Sequence, residues 1–195
     1  MVTSAPVMPA PLRLLLVAVL VSVPLSARAD NPVVRITTAL GSFDVELCDA
    51  VSPLCPAAAP IAVANFLGYL DRGDYENTLF HRSIAAPFYT ADFVIQGGGF
   101  YFDGNIIKAR ATQAPIANEF DPLNGNVRGT LAMAKFGADP DSATNQWFVN
   151  LNDNRGVPPN GLDYQNGGFT VFGVVAGDGM TVVDLISDVK PYNMI

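Results

Sequence analysis

The chain has 195 residues, with 11 Lys and Arg, 18 Asp and Glu and one His, so its formal net charge at pH 7 is −7. This length predicts one domain that is large enough to bury a hydrophobic core. An acidic chain lacks the clustered cations that bind nucleic-acid phosphates, which argues against nucleic acid as a partner. One histidine and two cysteines exclude zinc sites built on several histidines or on four cysteines, and also iron–sulfur clusters. We predict no metal site and no cofactor.

The first 29 residues are predicted to be a secretory signal peptide. Residues 14–25 (LLLVAVLVSVPL) form an apolar run that is shorter than the about 20 residues a membrane-spanning helix needs. Ala27-Arg28-Ala29 then supplies a small-x-small cleavage pattern. The alternative is a buried N-terminal segment of the domain. Cleavage after Ala29 leaves a domain at residues 30–195 with nine basic and 18 acidic residues, a net charge of −9 and no stable membrane insertion.

Export would place the two cysteines, Cys48 and Cys55, in an oxidising compartment. They have six residues between them. Oxidising compartments favour disulfides, so we predict a possible disulfide that closes this short loop. Two free thiols are the alternative. A redox-active pair is disfavoured because the spacing is not C-x-x-C.

Short alternating segments dominate the rest of the chain. Residues 33–39 and 42–48 alternate apolar and polar side chains around a turn at Leu40-Gly41, which predicts a β-hairpin. Residues 58–70 predict a helix, with its proline at the start and Gly73 after its end. Later apolar runs predict strands at 79–84, 93–96, 130–135, 146–151 and 169–175. Residues 180–189 predict a second amphipathic helix.

This pattern predicts a mostly-β domain with one helix early and one late. Closed barrels remove exposed strand edges, so a small barrel with helices at its ends is favoured. The pattern alone leaves a β-sandwich open as an alternative.

The sequence Phe80-His81-Arg82 contains the first candidate active-site residue, Arg82. Arginine keeps its charge when buried and must be paired, and the rim of an active site can satisfy it, although a half-exposed strand arginine is the alternative. His81 is the only histidine available to a Ser–His–Asp mechanism. Its side chain should point to the strand face opposite Arg82, so we predict a structural role. The glycines at 97–99 lack the residues that follow a phosphate loop and predict a flexible strand end.

Four separated motifs occur in order. They are FHR at 80–82 with FVIQGG at 93–98, RGTLAMA at 128–134, SATNQWFVN at 142–150 and TVFG at 170–173. Together they resemble the cyclophilin-type peptidyl-prolyl cis–trans isomerases, most closely the bacterial secreted branch. The resemblance runs from residue 33 to about residue 189. It implies a closed eight-stranded antiparallel barrel capped by two α-helices, and rotation about X-Pro bonds without a cofactor. It also implies a periplasmic protein that acts on proline-containing peptides and unfolded proteins. Nothing in the sequence demands more than a monomer.

The resemblance assigns roles to particular side chains. Arg82 and Gln96 correspond to the catalytic residues. The substrate-binding residues would be Phe93, Val94, Ala134, Gln146, Phe148, Leu162 and Phe169. Twisting a peptide bond costs about 18–20 kcal/mol because resonance is lost, and the twisted prolyl nitrogen gains lone-pair character. A fixed guanidinium would favour that state over the planar one, while apolar side chains hold the ring.

The chain departs from the family pattern at five places, which include a proline-rich insertion at 52–56 and Lys135, where the eukaryotic branch commonly has Asn. The interval between Arg82 and Phe93 is longer than usual, which predicts an insertion within residues 85–92 at the pocket rim; Phe88 and Tyr89 are alternatives for the position of Phe93. Gly161 replaces an aromatic wall. The last strand is predicted to be short, at 191–195, or missing. An isomerase is the favoured function, with two alternatives: a cyclophilin-fold binding or chaperone module with weak or no activity, and an unrelated small-barrel carrier of apolar ligands.

Overall fold

The computed structural model describes residues 30–87, 89–157 and 161–189. The strands are β1 Val33–Thr38, β2 Gly41–Leu47, β3 Arg82–Ile84, β4 Val94–Gly97, β5 Phe100–Phe102, β6 Ile107–Ala109, β7 Thr130–Met133, β8 Trp147–Asn150 and β9 Val171–Val175. The helices are α1 Pro60–Asp71 and α2 Met180–Ser187, and a short 3₁₀ helix at Gln165–Gly167 precedes β9. The predicted mostly-β class with one early and one late helix is confirmed. In the described part of the chain, neither helix is long and apolar enough to cross a membrane.

Seven strands form one curled antiparallel sheet in the order β1-β2-β9-β7-β8-β4-β3, and β5 and β6 form a separate two-stranded sheet. Within the described residues, β1 and β3 are the edges of this sheet. The predicted closed eight-stranded barrel is therefore not confirmed, because closure requires a strand that pairs with both edges. Residues 191–195, to which we assign the eighth strand, and residues 1–29, to which we assign the signal peptide, lie outside the described residues.

The central strands β7 and β8 are buried along their whole length. Successive side chains of a strand point to opposite faces. Leu131 and Val149 therefore join the main core beneath the helices, whereas Ala132 and Phe148 join a separate small apolar cluster. This small cluster lies on the sheet face away from the main core and forms the base of the site described below.

Helix α1 covers the main core with Ala62, Val63, Phe66 and Tyr69. Its first backbone amides lack partners within the helix, and its N-cap residue, Ala59, makes no side-chain cap hydrogen bond. Glu119 accepts hydrogen bonds from the backbone N–H groups of Ile61 at 3.0 Å and Ala62 at 2.7 Å. A carboxylate is favourable at this positive end of the helix. The contact fixes the loop around residue 119 to α1.

Cys48 and Cys55 form a disulfide in this structure, with Cα atoms 5.3 Å apart. Both side chains are buried. The bridge closes the loop that leads from β2 to α1, and the Ala59 N–H donates to the Cys48 carbonyl at 2.7 Å. The loop that the sequence predicted to be closed by a disulfide is thus the one that sets the start of the helix.

Removal of this disulfide should destabilise the domain moderately. We expect the Cys48→Ala/Cys55→Ala variant to lose about 2 kcal/mol of the free energy of unfolding, because a bridge that closes a short loop constrains the unfolded chain only modestly. Urea unfolding of the variant, of the oxidised wild type and of the reduced wild type measures this loss. An intact mass of the wild type that reductant leaves unchanged would rule out the bond.

Candidate active site

A cavity of about 150 Å³ lies over the small apolar cluster. It is lined by Arg82, Phe93, Val94, Gln96, Ala134, Lys135, Phe148, Leu162 and Phe169. Every predicted site residue except Gln146 is in this set, and Gln146 contacts it through Gln96. Ala132 and Val171 complete the base of the cavity. The prediction did not include these two, although Ala132 alternates with Ala134 on the same strand face.

The strand register explains why residues distant in sequence meet here. Arg82 of β3 lies opposite Gln96 of β4, and Gln96 in turn lies opposite Phe148 of β8. Phe148 lies opposite Ala132 of β7. Directly opposed side chains share one face of a sheet. The four strands therefore present a row that runs from a charged edge to an apolar centre.

A chain of hydrogen bonds holds the polar end of this row. Arg82 Nη1 donates to Gln96 Oε1 at 3.2 Å, and Gln96 Nε2 donates to Gln146 Oε1 at 2.8 Å. Arg82 itself is exposed. A guanidinium has five N–H donors, and Arg82 makes only this side-chain hydrogen bond to the described residues. Arg82 is thus held in place by Gln96 and still has donors for a ligand.

Gly98 and Gly99 make this chain of hydrogen bonds possible because their lack of a side chain leaves space for the segment that carries Gln146. Gly98 has a φ of 85°, and a Cβ there would lie 2.5 Å from the Asn145 carbonyl oxygen. A Cβ on Gly99 would lie 2.7 Å from Cδ of Gln146. The prediction of a flexible strand end at 97–99 stays a prediction, and the structure adds a packing reason for two of these glycines, because they allow the segment before β8 to approach β4.

The apolar side of the cavity is formed by aromatic rings. Phe148 and Phe169 meet edge to face with centroids 5.9 Å apart. The Phe169 N–H donates to the Leu162 carbonyl at 2.8 Å, so both residues approach the cavity from one loop. A Cβ on Gly161, whose φ is 97°, would overlap the Arg155 carbonyl. This backbone conformation explains why no aromatic wall is present at that position.

Lys135 is a cavity residue that the sequence prediction did not include in the site. Its Nζ lies 4.7 Å from the centroid of the Phe169 ring. Burial lowers the pKa of Lys135 to about 8, although Asp141 and Asp139 act in the opposite direction. The signals in the sequence are its position directly after Ala134 and its departure from the family pattern, which has Asn there in the eukaryotic branch.

His81 does not line the cavity. Its ring packs edge to face on Phe100 at 4.8 Å, and its Nδ1 is buried with no hydrogen-bond partner in the described part of the chain. Burial lowers the pKa of His81, while the Leu79 backbone and the Gln146 side chain raise it less. The imidazole is therefore neutral at pH 7, in keeping with the predicted structural role.

The predicted insertion at 85–92 forms a loop between β3 and β4. The Phe93 N–H donates to the Ile84 carbonyl at 2.8 Å and closes the base of this loop, while Asp92 accepts from the Ala86 N–H at 2.9 Å. Phe93 therefore reaches the cavity despite the longer interval. Tyr89, the alternative candidate, is about half exposed and does not line the cavity, and Phe88 lies outside the described residues.

The arrangement of these side chains indicates the kind of ligand that the cavity can bind. An apolar cavity with one fixed guanidinium at its rim suits a small apolar ring that carries a polar backbone. Among the described residues, no three His, Cys, Asp or Glu side chains converge in a way that could hold a metal ion.

Comparison with known proteins gives the family. Residues 33–194 match the sequence model of the cyclophilin type peptidyl-prolyl cis-trans isomerases. Peptidyl-prolyl cis-trans isomerase B of Escherichia coli is 47% identical over 131 residues, which cover 67% of this chain and 73% of the relative. The Acinetobacter baylyi peptidyl-prolyl cis-trans isomerase is 41% identical over 159 residues, 82% of this chain and 73% of the relative. The relative from Dickeya dadantii, peptidyl-prolyl cis-trans isomerase A, is 37% identical over 171 residues, 88% of this chain and 79% of its own length.

A solved structure agrees with this result. A cyclophilin type peptidyl-prolyl cis-trans isomerase from Cryptosporidium parvum, crystallised in the presence of the dipeptide Ala-Pro, superimposes with a TM-score of 0.55 at 26% identity. The match covers 80% of this chain and 84% of that one. The chain therefore belongs to the cyclophilin-type peptidyl-prolyl cis–trans isomerase family, and it is an isomerase of prolyl peptide bonds.

Adjacent glycine substitutions should separate activity from stability. In Gly99→Ala the new methyl group meets the end of the Gln146 side chain, which can move, so we expect kcat/KM to fall about 3- to 10-fold with the fold retained. In Gly98→Ala the methyl group meets backbone and the φ is unfavourable, so the free energy of unfolding should fall by about 1–3 kcal/mol. Peptide isomerisation assays and urea unfolding of both variants measure the two effects. A Gly99→Ala enzyme with wild-type kcat/KM would show that the position of Gln146 does not matter.

Proposed function

We propose that this chain binds the pyrrolidine ring of a substrate proline in the cavity and uses Arg82 to favour rotation about the preceding peptide bond. The observation that carries this proposal is the Arg82 guanidinium, hydrogen-bonded to Gln96, at the rim of a cavity whose lining is mainly apolar. A Cryptosporidium parvum relative crystallised with Ala-Pro supports a proline-containing ligand.

The cavity has dimensions suitable for one small ring. A protein cavity near 150 Å³ that is lined by aliphatic and aromatic side chains is large enough for benzene, so a five-membered ring also fits. Phe148 and Leu162 contribute the buried part of the lining, and Phe93 and Phe169 contribute half-buried walls. Burial of the ring in this lining holds the proline while the rest of the peptide turns.

Arg82 makes the hydrogen bond that stabilises the transition state more than the ground state. In the planar peptide the prolyl nitrogen shares its electron pair with the carbonyl and accepts no hydrogen bond. When the bond is twisted, resonance worth about 18–20 kcal/mol is lost and the nitrogen becomes an acceptor. A guanidinium N–H then donates to it, so the interaction is made mainly in the transition state. No proton is transferred, because arginine stays charged.

Gln96 and Gln146 reduce the cost of this interaction by holding the guanidinium before the substrate arrives. A donor that is already oriented needs no reorganisation at the moment of reaction. Gln96 uses its amide oxygen for Arg82 and its amide nitrogen for Gln146, so its orientation is determined from both ends.

The proposal extends to the compartment. We infer that residues 1–29 are removed on export and that residues 30–195 act as a monomer on unfolded proteins in the periplasm. The apolar run at 14–25 and the buried Cys48–Cys55 bridge support this inference, as do the bacterial relatives.

Expression of the full chain in a bacterium tests the leader. We expect the protein recovered from the periplasmic fraction to begin at Asp30, because a small-x-small site ends at Ala29. N-terminal sequencing and intact mass measure the cleavage site. Recovery only from the cytoplasm, with Met1 or Val2 as the first residue, would contradict the export proposal.

Substitution of Arg82 tests the chemistry. We expect Arg82→Ala to lower kcat/KM for a prolyl peptide about 100- to 1,000-fold, the usual loss when one oriented donor to a developing charge is removed. Peptide isomerisation rates of the mature protein measure this loss, with Arg72→Ala as a control because Arg72 does not line the cavity.

The two remaining outcomes are distinct. Wild-type and Arg82→Ala rates that both equal the uncatalysed rate would indicate the binding or chaperone module instead of the enzyme. High and equal rates for both proteins would show that another group supplies the donor.

A further inference from the structure

We propose that Lys135 is a positioning residue of the substrate pocket, whose ammonium group fixes the Phe169 ring against Phe148 and thereby sets the affinity for the proline ring. This inference rests on the proposed function of the cavity. It concerns substrate binding and leaves the rotation step to Arg82.

The Lys135 ammonium is held by three oxygen atoms. Nζ donates to the Asn166 carbonyl at 2.7 Å, to the Gly168 carbonyl at 2.6 Å and to Asn118 Oδ1 at 3.4 Å. A protonated lysine has three N–H donors, so these contacts use all of them. The group is therefore directed into the protein and is not available as a free surface charge.

The two carbonyl partners belong to the turn that delivers Phe169. Asn166, Gly167 and Gly168 all have positive φ values, 50°, 72° and 76°. An asparagine in this region is tolerated at some cost. The carbonyl groups of Asn166 and Gly168 both accept from the Lys135 ammonium. These hydrogen bonds link the segment after β7 to Gly168, the residue immediately before Phe169. Lys135 therefore stabilises the turn in the conformation that brings Phe169 to the cavity.

The Phe169 ring is held from two sides. Lys135 Nζ lies 4.7 Å from its centroid, within the range of a cation–π interaction. The ring meets Phe148 edge to face at 5.9 Å. All three side chains line the cavity. Without the ammonium group, the Phe169 ring would keep its contact with Phe148 and lose the cation–π contact, and the wall of the cavity would be less well defined.

Burial of the Lys135 ammonium carries a desolvation cost. The ammonium is half-buried, and its burial opposes the charged form strongly enough to lower the pKa of Lys135 to about 8. Asp139 and Asp141 favour its charge, and Arg82 lines the same cavity. An apolar side chain of similar length would avoid this cost but would leave the Asn166 and Gly168 carbonyl oxygens without this donor. The ammonium is thus placed where it holds the turn that carries Phe169.

Two substitutions test the proposal. Lys135→Met keeps the length of the side chain and removes the charge and the donors, whereas Lys135→Arg keeps both. We expect Lys135→Met to raise KM for a prolyl peptide about 5- to 10-fold with kcat within about twofold of the wild type, the pattern of lost uniform binding. Lys135→Arg should restore KM to within about twofold. Lys108→Met, on an exposed lysine paired with Asp103, is the matched control.

Ring signals give a second readout that does not require activity. The NMR resonances of the Phe169 ring in the substrate-free protein should shift in Lys135→Met and remain near the wild type in Lys135→Arg. Unchanged ring resonances in Lys135→Met would overturn the proposal, and so would shifted resonances with an unchanged KM. If the wild type neither binds nor isomerises prolyl peptides, the proposed function fails, whereas the ring resonances still report separately on the role of Lys135.

Discussion

The structure depends on the burial of β7 and β8 on both of their faces. A sheet covered on one side usually exposes its other side to water, and its strands then alternate apolar and polar residues. Here Leu131 and Val149 face the helices, yet Ala132 and Phe148 on the opposite face are also buried. Loops around residues 135 and 162–169 cover this second face incompletely, and the uncovered remainder is the cavity. The same two strands therefore define both the core and the site.

The polar rim depends on how closely two segments approach each other. Gln146 precedes β8 and Gln96 lies in β4, and their side chains meet only because Gly98 and Gly99 leave space between the segments. Arg82 is oriented through this contact, although it belongs to the edge strand β3. An edge strand is the least constrained part of a sheet, so the two glutamines supply rigidity that the strand itself lacks.

Local patterns in the sequence predicted those parts of the structure that depend on neighbouring residues. The β1–β2 hairpin and both helices follow from alternation and helical spacing, whereas the family resemblance indicated eight of the nine residues that line the cavity. The β5–β6 hairpin was not predicted, because its strands are short and largely exposed. The reason for Gly99 and the contacts of Lys135 also escaped prediction, because their partners lie 17 to 47 residues away in the chain. Closure of a barrel likewise depends on pairing between distant edges, which local alternation does not encode.

The site divides its two tasks between groups with different protonation behaviour. The rotation step is assigned to the guanidinium of Arg82, whereas His81, whose pKa is lowered by burial, does not line the cavity. Lys135 is the cavity residue whose pKa, about 8, lies close to that range. Its contacts lead to the Phe169 ring and not to the twisted bond. A change of activity that follows the titration of Lys135 should therefore alter the binding of the proline ring, because the Lys135 ammonium contacts the Phe169 wall of the cavity and the rotation step is assigned to Arg82.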